Sequence, residues 1–418
     1  MKRVGNLFDK IIDMENIIQA DNIARKGKKS RYGINRHDRN RESNLSLLKF
    51  QLETGGYKTS PYDVFTLVTD FGKERTIYRL PYYPDRIAHH AIMNVLEPYF
   101  VNSFIRDTYS CIKNRGIHDG VKRVRKALTD KSGTKYCLKM DVKKFYPSID
   151  HETLKNLLRR KFKDKQLLQL LDEIVESAPG LPIGNYLSQY FSNFYLNYFD
   201  HWLKEEKRIK YYFRYADDMV VLHPDKQFLH ELRKEISQYL EQNLKLILKG
   251  NWQVFPVESR GIDFLGYVFY HDHLRLRKRI KQNFARKMKA HPGEGAVMAS
   301  YKGWCQHGNC INLYKKITGM NLFKNLGVEL DSAPMLGEKI KINKIINQEI
   351  EVLDFEVNTS KFEKSGPKYL KLQIRFNGET RVVFTGANLL IKAAQKINKE
   401  QLPFATIIIE QNGFYQFT

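Results

Sequence analysis

Short apolar runs alternate with amphipathic segments along the first 330 residues of the chain. Residues 136–140 form an apolar run of strand length that ends at Asp141, and residues 151–160 have the spacing of an amphipathic helix that Asp150 can cap. Residues 189–202 are rich in aromatic side chains, which indicates a buried helix. Further strands are predicted at 244–248 and 262–267. The alternation predicts an α+β fold in which helices pack on an antiparallel sheet.

An acidic tetrapeptide at residues 215–218 lies between two apolar runs and ends in Asp217 and Asp218. This context predicts a tight turn between two strands. Asp is a common turn residue, and that property alone explains an isolated Asp-Asp pair. Neighbouring carboxylates repel each other when they are partly desolvated, however, and a bound cation relieves that cost. Other residues must therefore decide between a plain turn and a cation site.

Near-regular alternation of apolar and polar residues marks the last part of the chain as half-buried strands. Asn377-Gly378 is a strong signal for a hairpin turn between two of them. The predicted strands are 350–357, 370–376 and 380–384, with a helix at 387–399 and two more strands after it. We predict two domains, at 1–330 and 335–418. The second is small and β-rich, with either a single-strand-binding or a stabilising role.

The formal charge of +24 and the isoelectric point near 9.6 predict a polyanionic partner, and nucleic acid is the leading candidate. Residues 331–418 hold 12 basic and 10 acidic side chains, so nearly all of the excess charge lies before them. This uneven partition disfavours the alternative of a solvated basic surface without a partner. Basic clusters occur in a predicted arm, in a predicted amphipathic helix and at a strand-to-helix transition: 25–41, 155–165 and 275–289.

The four cysteines are too few and too scattered for a disulfide framework, which fits a reducing compartment. No apolar run approaches the about 20 residues of a membrane span, and the N-terminal segment lacks the apolar core of a signal peptide. We expect a cytoplasmic protein without membrane contacts.

Asp141 is the predicted partner of Asp217. It ends a strand and lies 76 residues before Asp217, which leaves room for helices before an adjacent strand returns. Two strand-borne carboxylates on one sheet can hold two Mg²⁺ ions about 3.5–4 Å apart, of which one activates a 3′-hydroxyl and the other neutralises the leaving group. For Asp141 alone, a helix cap or a surface strand end is the alternative.

Together these residues resemble the palm of reverse transcriptases. The paired aspartates at 215–218, Asp141, and Tyr146 five positions beyond it occupy similar places, and the order of motifs is similar over residues 60–310. The resemblance implies a right-hand polymerase that copies RNA into DNA. Its fingers and palm would span about 1–265 and its thumb about 266–330.

Within that family, the segment Leu-Pro-Ile-Gly-Asn-Tyr-Leu-Ser-Gln at 181–189 resembles the form found in diversity-generating retroelements. Most relatives carry Gln where this chain has Ile183. Losing that polar contact near the new base pair is expected to lower selectivity, and in the subgroup the motif accompanies errors opposite template adenines. Residues 84–92 and 109–118 are also similar to the subgroup.

The resemblance assigns roles to individual residues. The implied metal ligands, with the carboxylates as catalytic residues, are Asp141, Val142, Asp217 and Asp218. The implied nucleotide contacts are Arg75, Arg79, Phe145, Tyr146, Gly184, Gln189 and Lys249. The implied nucleic-acid contacts are Arg115, Phe264, Leu265, Gly266, Arg275, Arg277 and Lys278. Among these, the Tyr146 ring would exclude a 2′-hydroxyl, the arginines would grip phosphates, and Lys249 would lie near the departing pyrophosphate.

The implied partners are a template RNA, the RNA/cDNA duplex, deoxynucleoside triphosphates and a small basic accessory protein, in a bacterial or phage setting. A retron, group II intron-like or phage-defence reverse transcriptase would share the chemistry but differ in template and purpose. An RNA-dependent RNA polymerase would also carry paired aspartates, but Tyr146 argues against ribonucleotides. The alternative of another class is a non-catalytic RNA-binding protein.

Overall fold

The computed structural model describes residues 3–28, 32–68, 72, 74–308, 310–318, 335–359 and 368–418. The chain divides into two compact units, Met1–Met320 and Asn321–Thr418. The predicted boundary near residue 330 lies outside the described residues. None of the helices in the described ranges is long and apolar enough to cross a membrane.

The first unit consists mainly of helices around three antiparallel sheets. In chain order its helices are α1 (Phe8–Ile12), α2 (Met14–Ala24), α3 (Tyr32–Asp38), α4 (Arg41–Glu53), α5 (Ile87–Val101), α6 (Ile117–Ala127), α7 (His151–Lys161), α8 (Lys165–Glu176), α9 (Tyr186–Tyr195), α10 (Asn197–His201), α11 (Lys226–Leu244), α12 (Val257–Arg260), α13 (Lys278–Ala290), α14 (Gly295–Gln306) and α15 (Ile311–Thr318). Its strands are β1 (Asp63–Val68), β2 (Glu74–Arg79), β3 (Tyr136–Asp141), β4 (Tyr211–Tyr215), β5 (Asp218–His223), β6 (Gln253–Pro256), β7 (Ile262–Phe264), β8 (Tyr267–Phe269) and β9 (Leu274–Leu276). This mixed architecture with antiparallel sheets confirms the predicted α+β class.

A four-stranded sheet in the order β4-β5-β3-β6 forms the centre of this unit. Successive side chains point to opposite sides of a strand, and the inner positions of β5 are buried on both faces. On β5, Met219 and Val221 pack into one hydrophobic cluster, whereas Val220 and Leu222 pack into a second. A strand covered on both faces explains the unbroken apolar run that follows Asp218.

The sequence prediction of β3 and α7 is confirmed. Helix α7 begins after Asp150, whose Oδ1 accepts a hydrogen bond of 2.9 Å from the Thr153 backbone N–H. Such a cap satisfies one of the free N–H groups of the first helical turn. The aromatic segment predicted as one helix at 189–202 is divided instead into α9 and α10, which meet at Leu196.

The prediction of a strand at 244–248 is wrong. Helix α11 continues to Leu244, and Lys245 ends it in a left-handed conformation with φ 52°. Only Leu248 pairs, through an isolated bridge to Val142. The apolar side chains at 244 and 246 are buried as part of the helix end and its continuation, which a strand pattern imitates over so short a run.

The basic segment predicted as an arm at 25–41 contains helix α3 and the start of α4; residues 29–31 lie outside the described residues. Asp21 is fully buried and binds both Arg25 and Arg41. Arg25 and Arg41 neutralise this buried carboxylate. These two arginines therefore form ion pairs within the fold, whereas the sequence predicted that this segment contacts a polyanion.

Over residues 335–359 and 368–418, the second unit contains one sheet and one main helix. Its strands are β10 (Glu338–Ile340), β11 (Glu349–Thr359), β12 (Lys368–Phe376), β13 (Glu379–Thr385), β14 (Phe404–Gln411) and β15 (Phe414–Phe417), and its helix is α16 (Asn388–Ala394). The sheet order is β10-β13-β12-β11-β14-β15. Asn377 and Gly378 form the predicted hairpin turn with φ of 50° and 81°. The predicted strands are confirmed, and the helix is shorter than predicted.

Candidate active site

The acidic turn joins β4 to β5 as a tight hairpin. Tyr215 pairs with Asp218, so Ala216 and Asp217 alone form the turn. Ala216 has φ 52°, an unfavourable conformation for a residue with a Cβ atom, and such strain persists only where surrounding contacts enforce it. On the other side of β5, Asp218 pairs directly with Asp141 of β3. The three aspartates thus meet at one end of the central sheet, as the sequence predicted.

Arg214 holds this hairpin in place through buried hydrogen bonds. Its side chain is fully buried, and it donates hydrogen bonds to the equally buried Asp200 of α10 at 2.8 Å from Nε and to the Ala216 carbonyl at 3.0 Å from Nη1. The same Nη1 atom also reaches Asn193 Oδ1 of α9 at 3.2 Å. The strained turn is therefore tied to two helices through one guanidinium.

Burial and mutual repulsion perturb the aspartates. Burial, together with the nearby Asp141 carboxyl, raises the pKa of Asp217 to about 6. Burial also raises the pKa of Asp218, although the ammonium of Lys139 opposes that shift. A site that disfavours its own negative charge is a site that favours a bound cation.

Two lysine side chains form ion pairs with Asp141 and Asp218. Lys249 Nζ lies 2.7 Å from Asp141 Oδ2, and Lys139 Nζ lies 2.8 and 3.1 Å from the two oxygens of Asp218. Lys139 also donates to the Asp263 carbonyl of β7. Sequence reasoning missed Lys139, although its place two residues before Asp141 on the same strand puts both side chains on one face.

The donor set suits a hard divalent cation. Asp141 Oδ1 is buried and has no hydrogen-bond partner among the described residues, which leaves one unsatisfied carboxylate oxygen beside Asp217. Carboxylate oxygens are the ligands that Mg²⁺ prefers. Asp218 is turned towards Lys139. No group of three His, Cys, Asp or Glu side chains is assembled as a metal site within the described ranges. Val142 could contribute only its main-chain carbonyl, since its side chain lies in the core.

The raised pKa of Asp217 predicts a pH-dependent stability in the absence of metal. Ionisation of this carboxyl disfavours the folded state, so in chelator Asp217→Asn should raise the free energy of unfolding by about 1–2 kcal/mol above pH 7. The gain should shrink as the pH falls below about 6 and vanish below the usual value of 3.8, where the wild-type carboxyl is protonated whether folded or not. Denaturant titrations across this range measure it, and a gain unchanged at pH 4 would rule out Asp217 ionisation as its source.

Tyr146 lies beside the acidic turn. It opens a short 3₁₀ turn after β3, its ring is half-buried, and its hydroxyl accepts a hydrogen bond of 3.3 Å from Ser192. Burial raises the pKa of Tyr146, and the charge of Asp217 contributes to the same shift. Phe145 instead packs in the core at 3% exposure.

Gly184 has a structural neighbour that the sequence did not indicate. Its φ is 115°, and a Cβ atom at this position would lie 2.6 Å from the Tyr78 carbonyl oxygen of β2. The adjacent Ile183 carbonyl accepts a hydrogen bond of 2.8 Å from the Tyr78 N–H. Glycine thus permits the 181–189 segment to pack against β2. Gln189 is exposed on the first turns of α9.

The two arginines of β2 are exposed and differ in their contacts. Arg79 binds Asp63 of β1 and lies over the Phe65 ring, 5.3 Å from its centroid. Arg75 lies opposite Leu67 in the same hairpin. Arg115 is half-buried and donates to the Ile105 carbonyl at 3.3 Å.

At the tip of the β7–β8 hairpin the apolar side chains are buried, so the backbone is the part available for contacts. Phe264 and Leu265 are buried, and Leu265 and Gly266 form the turn with φ of 52° and 85°. Arg277 binds Asp263, whereas Arg275 lies over the Tyr270 ring at 5.1 Å. Lys278 is exposed at the start of α13.

Residues 68–269, which include all three aspartates, match the model of the reverse transcriptase (RNA-dependent DNA polymerase) family. This span is a reverse transcriptase domain, and its activity class is that of an RNA-directed DNA polymerase. Residues 336–418 match a domain of unknown function, DUF8468.

Curated relatives are similar over the same part of the chain. Protein YkfC of Escherichia coli K12 is 25% identical over 60% of this chain and 76% of its own length. The group II intron-encoded protein LtrA of Lactococcus lactis subsp. cremoris is 23% identical over 55% of this chain and 41% of LtrA. The retron Ec73 reverse transcriptase of Escherichia coli is 28% identical over 41% of this chain and 58% of the relative. The chain thus spans less than two thirds of the last two proteins.

Among solved structures, apo telomerase from Candida tropicalis matches with a TM-score of 0.43 and 14% identity. The match covers 60% of this chain and 52% of the telomerase chain. A likeness at this TM-score carries no argument about function.

Proposed function

We propose that this chain copies an RNA template into DNA by transferring deoxynucleotides to a primer at the end of the central sheet. The observation that carries the proposal is the direct pairing of Asp141 of β3 with Asp218 of β5, with Asp217 in the adjoining turn between β4 and β5. The raised pKa of Asp217 supports the proposal. A carboxyl group that resists ionisation on its own is stabilised in its charged form by a neighbouring cation.

In this proposal Asp141 and Asp217 hold two Mg²⁺ ions, with Asp218 as a weaker ligand and Val142 offering its carbonyl. The metal supplies charge neutralisation and a more acidic 3′-hydroxyl when bound. Arg214 holds the turn so that the carboxylates keep their places, and Lys249 stays beside Asp141, near the leaving phosphates. The central sheet then serves as the palm, the β1–β2 hairpin as part of the fingers, and α13–α15 as the thumb.

The half-buried ring of Tyr146 is proposed to lie under the sugar of the incoming nucleotide, where it leaves no space for a 2′-hydroxyl. Tyr146→Val should therefore raise the use of ribonucleotides relative to deoxynucleotides by about tenfold to a hundredfold. Primer extension on an RNA template with either nucleotide set measures the ratio. Tyr146→Phe is the matched control and should keep the wild-type ratio. If Tyr146→Val discriminated between ribonucleotides and deoxynucleotides as well as the wild type does, Tyr146 would not be the residue that contacts the sugar.

We further propose that the polymerase belongs to the diversity-generating retroelement type. The support is the segment at 181–189, in which Ile183 replaces the glutamine of most relatives. In this type the template is a structured RNA of the same element, a small basic accessory protein takes part, and the enzyme acts in the cytoplasm of a bacterial cell. Sequencing of cDNA made from that RNA with the accessory protein should show substitutions concentrated opposite template adenines. Faithful copying of adenines under those conditions would contradict the assignment.

A second candidate is a retron or group II intron-type reverse transcriptase. The similarity to LtrA and to the retron Ec73 reverse transcriptase favours it. It shares the proposed chemistry, and the same cDNA sequencing distinguishes it by an even spread of errors over the four template bases.

A further inference from the structure

In the described residues of the second unit, α16 packs on one face of the sheet and no helix packs on the other. Alternate residues of β12, among them Leu370 and Leu372, pack with α16 in the core of this unit. The intervening positions of β12 point to the opposite face. The cross-strand register places Phe384 of β13 opposite Lys371 of β12. It also places Val382 of β13 between Lys339 of β10 and Gln373 of β12. We name this side the outer face and define it by Lys339, Tyr369, Lys371, Gln373, Arg375 and Phe384.

Two aromatic rings lie together on the outer face. Phe384 is 42% exposed, and the Tyr369 ring centroid lies 6.2 Å from that of Phe384. An exposed phenylalanine costs solvation free energy that a core position would avoid, and such residues often mark a binding surface. Paired, half-open rings are the platform on which unstacked nucleic-acid bases lie in single-strand-binding proteins.

The charge of the outer face favours an anion. Lys339 Nζ lies 5.1 Å from the Phe384 ring centroid, and no described carboxylate lies within ion-pair distance of it. The outward positions of β10, β12 and β13 carry no acidic residue in the described ranges. The acidic side chains on this face belong to β11, where Glu351 binds Arg375, Glu356 binds Lys371, and Asp354, opposite Gln373, binds Lys399. Among the described residues of this face, Lys339 therefore has no carboxylate partner, and it lies beside the exposed ring.

We propose that the outer face binds single-stranded nucleic acid, with bases stacked on Phe384 and Tyr369 and phosphates contacting Lys339. Aromatic rings stack on the faces of unpaired bases, which a duplex does not expose, so a duplex does not fit. This binding is separate from nucleotide transfer and assigns a role to residues 336–418. With one to two phosphate contacts, it should depend only weakly on salt.

Ultraviolet crosslinking of the full chain to a short labelled oligouridylate tests the proposal directly. The chain is first saturated with an unlabelled RNA/DNA hybrid so that the polymerase unit is occupied. Mass spectrometry of the digested complex should then find crosslinks on peptides that contain Tyr369 or Phe384. Phe384→Ala should reduce their yield at least about fivefold, and Phe384→Tyr should preserve it.

Phe414→Ala is the matched control, since Phe414 is 60% exposed on β15 at the far edge of the same sheet. It should leave the crosslinks unchanged, and unchanged thermal melting of each variant excludes unfolding. Crosslinks confined to residues 1–320, or an equal loss in Phe414→Ala, would overturn the proposal. Loss of a dimer in Phe384→Ala without any crosslink would assign the outer face to a second copy of the chain and overturn it as well.

Discussion

Asp217→Asn is expected to slow nucleotide addition to a primer on an RNA template by about a thousandfold, equivalent to about 4 kcal/mol of transition-state stabilisation. The amide keeps the size of the carboxyl but removes the negative charge that a divalent cation needs. Since the substitution also relieves repulsion with Asp141, the variant should fold at least as well as the wild type. Single-turnover primer extension in Mg²⁺ measures the rate.

Asp272→Asn is the control for this substitution, because its side chain is 75% exposed in the β8–β9 turn and away from the carboxylates. It should retain the wild-type rate. Comparable rates for Asp217→Asn and wild type would show that the acidic turn has no part in catalysis, and the structural reason for its strained conformation would then lie elsewhere.

Arg214→Met is expected to lower the free energy of unfolding by about 3–5 kcal/mol. It leaves the buried Asp200 carboxylate without its cation, although the Tyr212 hydroxyl still donates to it at 2.7 Å. It also removes the hydrogen bond to the Ala216 carbonyl, so the acidic turn loses its anchor. Urea titration measures the loss.

A double substitution separates burial of an unpaired charge from loss of packing. Arg214→Met with Asp200→Leu should be less destabilised than Arg214→Met alone, because no buried charge remains without a partner. Arg106→Met is the surface control; Arg106 is 47% exposed, and its pair with Asp119 should contribute less than about 1 kcal/mol. A loss below about 1 kcal/mol for Arg214→Met itself would contradict the anchoring role.

The carboxylates could be predicted because strand ends and turns leave clear signals. Asp141 follows an apolar run, and the acidic turn separates two more, so the antiparallel pairing of Asp141 with Asp218 follows from adjacent strands. The charge partners could not be predicted in the same way. Arg214 stands between aromatic residues of β4, and its acceptor Asp200 lies on a different element, so only the folded chain brings them together.

Short apolar segments gave the least reliable predictions. Residues 244–248 have the composition of a strand, yet the end of α11 and its left-handed cap at Lys245 use the same side chains to fill the core. Gly184 packs against the Tyr78 carbonyl, a contact that the sequence did not indicate. Both cases depend on which distant backbone packs against the segment, and a local pattern contains no such information.

The metal-binding role of Asp141 and Asp217 is tested most directly by electron paramagnetic resonance with Mn²⁺ in place of Mg²⁺. In the presence of an RNA template, a DNA primer and a non-reactive deoxynucleotide analogue, the wild type should bind two Mn²⁺ ions more tightly than the analogue alone does. The Asp141→Asn/Asp217→Asn variant should lose this tight binding. Equal Mn²⁺ stoichiometry and affinity in the two proteins would contradict the account.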